Sequence, residues 1–117
     1  MSYFLDSSAL LEVFKGNKNY ERFLDEECYT SLLSLHEVFF LILAKAGEDK
    51  AKEIYARARG MCLDVDDRII FKAGRIKLEH TKLGISDCFG LALSRENDIR
   101  ILSSNKNLKD FPYVLVI

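Results

Sequence analysis

An α/β fold with a central parallel sheet covered on both faces is what this sequence predicts. Short apolar runs rich in strand formers alternate along the chain with longer segments of helical periodicity. That alternation requires crossover helices between parallel strands. At 117 residues the chain has the length of one domain. The clearest unit is the first: Tyr3-Phe4-Leu5 runs at once into Asp6-Ser7-Ser8 and an amphipathic stretch reaching Phe14, a strand feeding a helix. In open parallel sheets ligands bind beyond the carboxyl ends of the strands, at the topological switch point. Asp6 is therefore either a ligand-site acid or the cap of the helix after it, with Ser7 and Ser8 as rival caps.

The remaining elements follow in order. Lys15-Gly16-Asn17 stops the first helix, and Asn17 can cap a second short one carrying Tyr20, Phe23 and Leu24. Cys28-Tyr29-Thr30 is a short strand. From Ser31 to Ala46 the chain is almost continuously apolar, a length that predicts a helix buried on most sides. Gly47 ends it. Glu48 to Arg59 is a charged helix with Ala51, Ile54, Tyr55 and Ala58 on one face, and Met61 to Val65 is a third strand. Asp66-Asp67 open the next helix with acids where its positive end favours them; its apolar face carries Ile69, Ile70, Ala73, Ile76 and Leu78. Ser86 caps a helix from Asp87 to about Glu96, and Arg100–Ser103 and Tyr113–Val116 are the fourth and fifth strands. There is no repeat, low-complexity tract or linker.

Composition narrows the function classes. With 49% apolar and 30% charged residues the chain can bury a core. No apolar run reaches the ~18 residues that span a bilayer, so no membrane role is expected. The N-terminus lacks the basic and cleavable segments of a signal peptide. Cys28, Cys62 and Cys88 are odd in number and widely spaced, which argues against a disulfide framework or zinc ribbon and fits a reducing cytoplasm. A net charge of −1 gives no bulk attraction to nucleic acid, so such a partner would need a local basic patch. Arg57, Arg59, Lys72, Arg75 and Lys77, with Lys106 and Lys109, are the cations available for phosphate contacts or simply for solvated helix faces.

The informative residues are acids in apolar company. Glu37 lies inside Leu32–Leu43, where an ionised side chain costs several kcal/mol unless it is paired or holds a metal; the alternative is a narrow exposed stripe shared with His36 and Lys45. Asp87 follows Ser86 in the first turn of a helix, where the dipole alone would favour it. With Asp6, these make three carboxylates that could face one sheet edge, and oxygen-only ligands suit a hard divalent cation such as magnesium or manganese. Nothing else competes: there is no glycine-rich phosphate loop, His36 and His80 lack ligand spacing, and Cys88 has no basic partner to activate it.

Four segments together carry a resemblance. Leu5-Asp6-Ser7-Ser8-Ala9-Leu10, Ser34-Leu35-His36-Glu37-Val38, Ser86-Asp87-Cys88-Phe89-Gly90-Leu91-Ala92-Leu93 and Ile101-Leu102-Ser103-Ser104-Asn105-Lys106-Asn107-Leu108 resemble the PIN-domain family, and within it the VapC-type toxin ribonucleases of bacteria and archaea. The likeness spans the whole chain in the family's order and spacing. It implies a three-layer α/β/α fold on a central parallel sheet of about five strands. It implies that Asp6, Glu37 and Asp87 are catalytic acids holding Mg2+ or Mn2+ in an endoribonuclease that cuts RNA phosphodiester bonds. It further implies a homodimer, a small antitoxin protein as partner and a cytoplasmic location. Ser8 resembles the small hydroxyl residue that often follows the first aspartate, where it would orient Asp6 if it is not the helix cap. Ser103 matches a hydroxyl after the fourth strand.

The chain also departs from the family. Where the resemblance calls for two aspartates after Ser103, it carries Asn105 and Asn107, which keep a carbonyl oxygen but lose the charge. That implies tighter binding of one ion than of a second, and weak activity. Asp110 is the nearby acid that could substitute. Two other readings remain: a PIN-like module without activity that binds RNA or protein, and a receiver-like signalling domain with Asp64 or Asp66 as phosphate acceptor and Lys106 as its lysine.

Overall fold

The computed structural model describes residues 1–117. Strands β1 (Ser2–Leu5), β2 (Glu27–Tyr29), β3 (Arg100–Ser103) and β4 (Val114–Val116) alternate with helices α1 (Ser7–Phe14), α2 (Leu32–Ala46), α3 (Glu48–Ala58), α4 (Asp67–Glu79) and α5 (Ile85–Glu96). Short 3₁₀ turns occupy Lys18–Phe23, Arg59–Met61 and Lys106–Leu108. All four strands are parallel, in the order β2-β1-β3-β4. Phe4 pairs with Tyr29 on one side and Ile101 on the other. The chain leaves β1 toward β2 and returns on its opposite side as β3, so the switch point lies between the carboxyl ends of β1 and β3.

The pleat sends alternate residues to opposite faces. Tyr3, Leu5 and Leu102 join α1, α2 and α3 in one core, whereas Phe4 and Ile101 join α4 and α5 in the other. This is the expected three-layer arrangement. Gly90 allows α5 its close approach to the sheet: a Cβ there would stand 3.0 Å from the Phe4 ring. Gly47 ends α2 at φ +89°, a conformation other residues adopt only with strain.

Three expectations about elements are corrected. Met61–Val65, expected as the third of five strands, is not a strand, and the sheet has four. Its Cys62 makes a single parallel bridge to Thr30, with the Leu63 N–H donating to the Thr30 carbonyl at 2.9 Å. The segment emerges from a 3₁₀ turn, pairs with Thr30 just past β2 and leaves for the Asp66 cap of α4. Helix α2 is not buried on most sides either. Only Ser34, Leu35, Val38 and Ile42 are covered, while Leu32, Phe40, Leu41 and Leu43 are exposed, because one stripe of the helix meets the core. Finally, α5 starts one residue before Ser86, with Gly84 as its N-cap. The Asn17 segment does form, as a 3₁₀ turn that buries Tyr20 and Phe23. No helix is long and apolar enough to cross a membrane.

Candidate active site at the strand switch point

Asp6 sits one residue beyond β1, 4% exposed. It is the N-cap of α1: Oδ1 accepts the Ala9 N–H at 2.9 Å and the Ser8 hydroxyl at 2.6 Å. Oδ2 accepts the hydroxyl of Ser103, the last residue of the neighbouring strand β3. Two backbone amides decide where these hydroxyl protons point. The Ser104 N–H donates to Ser8 Oγ and the Asn105 N–H to Ser103 Oγ, both at 2.9 Å. Each serine therefore accepts from the loop after β3 and donates onto Asp6. Capping does not take Asp6 away from the strand end: the carboxylate that caps α1 also lies at the switch point. Ser8 orients this carboxylate and does not cap the helix.

Glu37 and Asp87 reach the site from the two helical layers. Glu37 projects from α2 and accepts the Ser86 hydroxyl of α5 through Oε1. It is exposed, so the cost of burying its charge, inferred from the apolar run, does not arise. Asp87, half-buried in the first turn of α5, accepts the Gly84 N–H through Oδ2 at 3.3 Å. Burial pushes the Asp6 carboxyl above its ordinary range against the opposing hydrogen bonds, and the Glu37 charge adds to the rise. Asp87 is raised first by burial, then by the charge of Asp6, with Glu37 contributing. None of the three belongs to an ion pair, so this negative field has no protein cation to balance it.

The donor set fits a hard cation. It is all oxygen, and Glu37 Oε2 and Asp87 Oδ1 accept no hydrogen bond in the protein. No three His, Cys, Asp or Glu side chains stand close enough to form a ready cage; the three carboxylates share a field without converging on one point.

The loop after β3 supplies amides instead of charge. Asn105 Oδ1 accepts the Asn107 N–H at 3.0 Å and so caps the 3₁₀ turn. The Asn107 side chain lines a neighbouring cavity with His80 and Asp110. His36 is exposed on α2 beside Leu32 and Phe39. Cys88 is buried at 1% exposure, and that burial pushes its thiol up, the opposite of what activates a cysteine. Asp66 caps α4 and pairs with Arg68 at 3.3 Å, far from the role a phosphate-accepting aspartate would need at a strand end.

Two contributors escaped the sequence reading. Ser86, taken for a helix cap, instead holds Glu37; the hydroxyl one residue before an acid was the available signal. Tyr20 buries its hydroxyl without a partner, and after burial the charge of Asp6 is the next largest cause raising its pKa. A tyrosine in a short polar turn carries no such signal.

The PIN domain family model matches residues 3–112. Among solved structures, a toxin-antitoxin complex from Klebsiella pneumoniae is similar at a TM-score of 0.77 and 18% identity, covering 97% of this chain and 96% of that one. DNA-bound VapBC from Salmonella typhimurium also gives 0.77, at 15% identity over 100% and 97% of the two chains. VapC20 from Mycobacterium tuberculosis, described as a toxin cleaving the sarcin-ricin loop, gives 0.75 at 15% identity, with 96% of each chain covered. At these identities the likeness establishes the fold. No curated protein matches the chain. With the family model covering nearly its whole length and four motifs standing around the switch point, the chain belongs to the PIN-domain family.

Proposed function

We propose that this protein is a metal-dependent endoribonuclease of the VapC toxin type. PIN domains of the VapC kind are generally nucleases, and the observation that carries the finer reading is the uncompensated acidic field of Asp6, Glu37 and Asp87 at the switch point. Asp6 and Asp87, with Glu37, would hold Mg2+ or Mn2+. A divalent ion so held neutralises a phosphodiester, lowers the pKa of bound water and stabilises the leaving oxygen.

The chain's own groups do the positioning. Ser8 and Ser103 fix both oxygens of Asp6 by donating to it, so the carboxylate cannot rotate away when a phosphate approaches. Ser86 holds Glu37 toward α5. Asn105 brings no charge and its carbonyl oxygen already caps a turn, which supports one well-held ion and a high metal requirement. The partners that fit are RNA as substrate, a second copy of the chain, and a small antitoxin whose apolar residues would cover the exposed face of α2 around Phe40; the setting is cytoplasmic. An inactive PIN-like module is the second reading, favoured only by Asn105 and Asn107. The experiment is cleavage of a structured RNA across a manganese titration. Wild type cleaves and Asp6→Asn does not; equal cleavage by both, or cleavage in EDTA, sinks the proposal.

A further inference from the structure

A second concavity opens beside the site, between the loop joining α4 to α5 and the turn after β3. It has a volume of about 530 Å3, and its walls include Glu79, His80, Lys82, Asn107, Asp110 and Phe111. Both walls continue directly into the site. Residues 79–83 lead through Gly84, whose N–H is bonded to Asp87. Asn107 donates its backbone N–H to Asn105, Asn105 to Ser103, and Ser103 to Asp6. The cavity and the acids therefore share the loop before α5 and the turn after β3.

The lining is chemically mixed. His80 and Phe111 meet edge to face with centroids 5.1 Å apart, giving an aromatic wall. Asn107 spends only its backbone N–H on the turn, leaving its side-chain amide for a ligand. Glu79 and Asp110 add carboxylate acceptors, and neither is in an ion pair. The lining carries two acids and one lysine, and the Lys77 ammonium is spent on the Thr81 and Leu83 carbonyls, so no free cluster of cations is set to hold a phosphate. A flat heteroaromatic ring with amino donors suits it: stacking against aromatic walls and hydrogen bonds to its polar edge are how unpaired RNA bases are held. A volume of this size takes a nucleotide.

We propose that this cavity is a base-binding subsite that takes an unpaired nucleobase next to the scissile phosphate, and that Asp110 and Glu79 select bases carrying an exocyclic amine over uracil, which has none. The inference rests on the RNA-cleaving reading of the adjoining site, but its test does not use cleavage. The full chain, in EDTA and labelled with nitrogen-15, is titrated with CMP, AMP, GMP and UMP, with inorganic phosphate as the control. The expected result is saturable shifts in residues 79–83 and 107–111 with the three amino-bearing nucleotides. UMP should be about tenfold weaker, the discrimination typical of one good base-edge pair, and phosphate should be silent. Glu79→Gln with Asp110→Asn should erase the preference. Shifts confined to other residues, a UMP response equal to the rest, or phosphate alone reproducing the shifts would each overturn the subsite. Wild-type RNA cleavage without nucleotide shifts therefore condemns the subsite alone, and nucleotide shifts without cleavage condemn only the nuclease reading.

Discussion

At Asp6 a strand end and a helix cap are one residue, because the side chain that satisfies the Ala9 N–H also lies at the switch point. The apolar run interrupted by an acid made Asp6 legible. Its bond to Ser103 was not, since the two are 97 residues apart and meet only because β3 lies beside β1. Ser103→Ala removes that donor and strands the Asn105 N–H. It should cost about 1–3 kcal/mol of stability by denaturant unfolding and about 10–100-fold in manganese affinity by calorimetry. Asp87 supplies the pH test. Its folded pKa is raised, so without metal it favours folding fully only below the ordinary aspartate range, and that contribution is lost as pH climbs through the raised value. Asp87→Asn keeps an oxygen for the Gly84 N–H and removes the charge. In EDTA its stability relative to wild type should therefore increase as pH rises from acid toward neutral, then level off. A difference independent of pH would mean that neither burial nor the charge of Asp6 raises the Asp87 carboxyl on folding.

Elements were legible where burial dictated periodicity and less so where one face stayed open. In α4, Ile69, Ala73 and Ile76 form the covered stripe, whereas Ile70 and Leu78 are exposed; pattern alone could not separate these neighbours. The density of apolar residues in α2 mimicked burial, and Phe40 is nonetheless 59% exposed. Met61–Val65 had a strand's composition, but it pairs with a single residue, Thr30, in one isolated bridge. Gly90 marks the tightest packing between layers. Gly90→Ala drives a methyl toward the buried Phe4 ring, with an expected loss of about 1–3 kcal/mol in chemical unfolding. Asn105→Asp works in the other direction. An aspartate can still accept the Asn107 N–H and cap the turn, and it restores the charge that the family resemblance calls for. RNA cleavage should then saturate at lower manganese than in wild type, and an unchanged titration would show that the loop after β3 stays outside the ion's reach.

Across the whole molecule, the two cores on either face of the sheet position α2 and α5 so that Glu37 and Asp87 approach Asp6 from opposite layers. That the three acids share one side of the sheet could be expected from the order of motifs, but not that they stop short of a ready cage, which depends on how far each helix is held off the sheet. A cation that relieves their repulsion binds the folded state alone, so manganese at 100 times its dissociation constant should add about 2.7 kcal/mol, visible as a rise in Tm. The same addition should leave the Tm of Asp6→Asn nearly unmoved. The most direct test of the central claim is anomalous diffraction from crystals soaked in manganese. The expected map has one strong peak beside Asp6 and Asp87, with Glu37 contacting the ion directly or through water. Saturating manganese that leaves this position empty, or a peak held by other residues, would contradict the assignment of the switch-point acids as the metal centre.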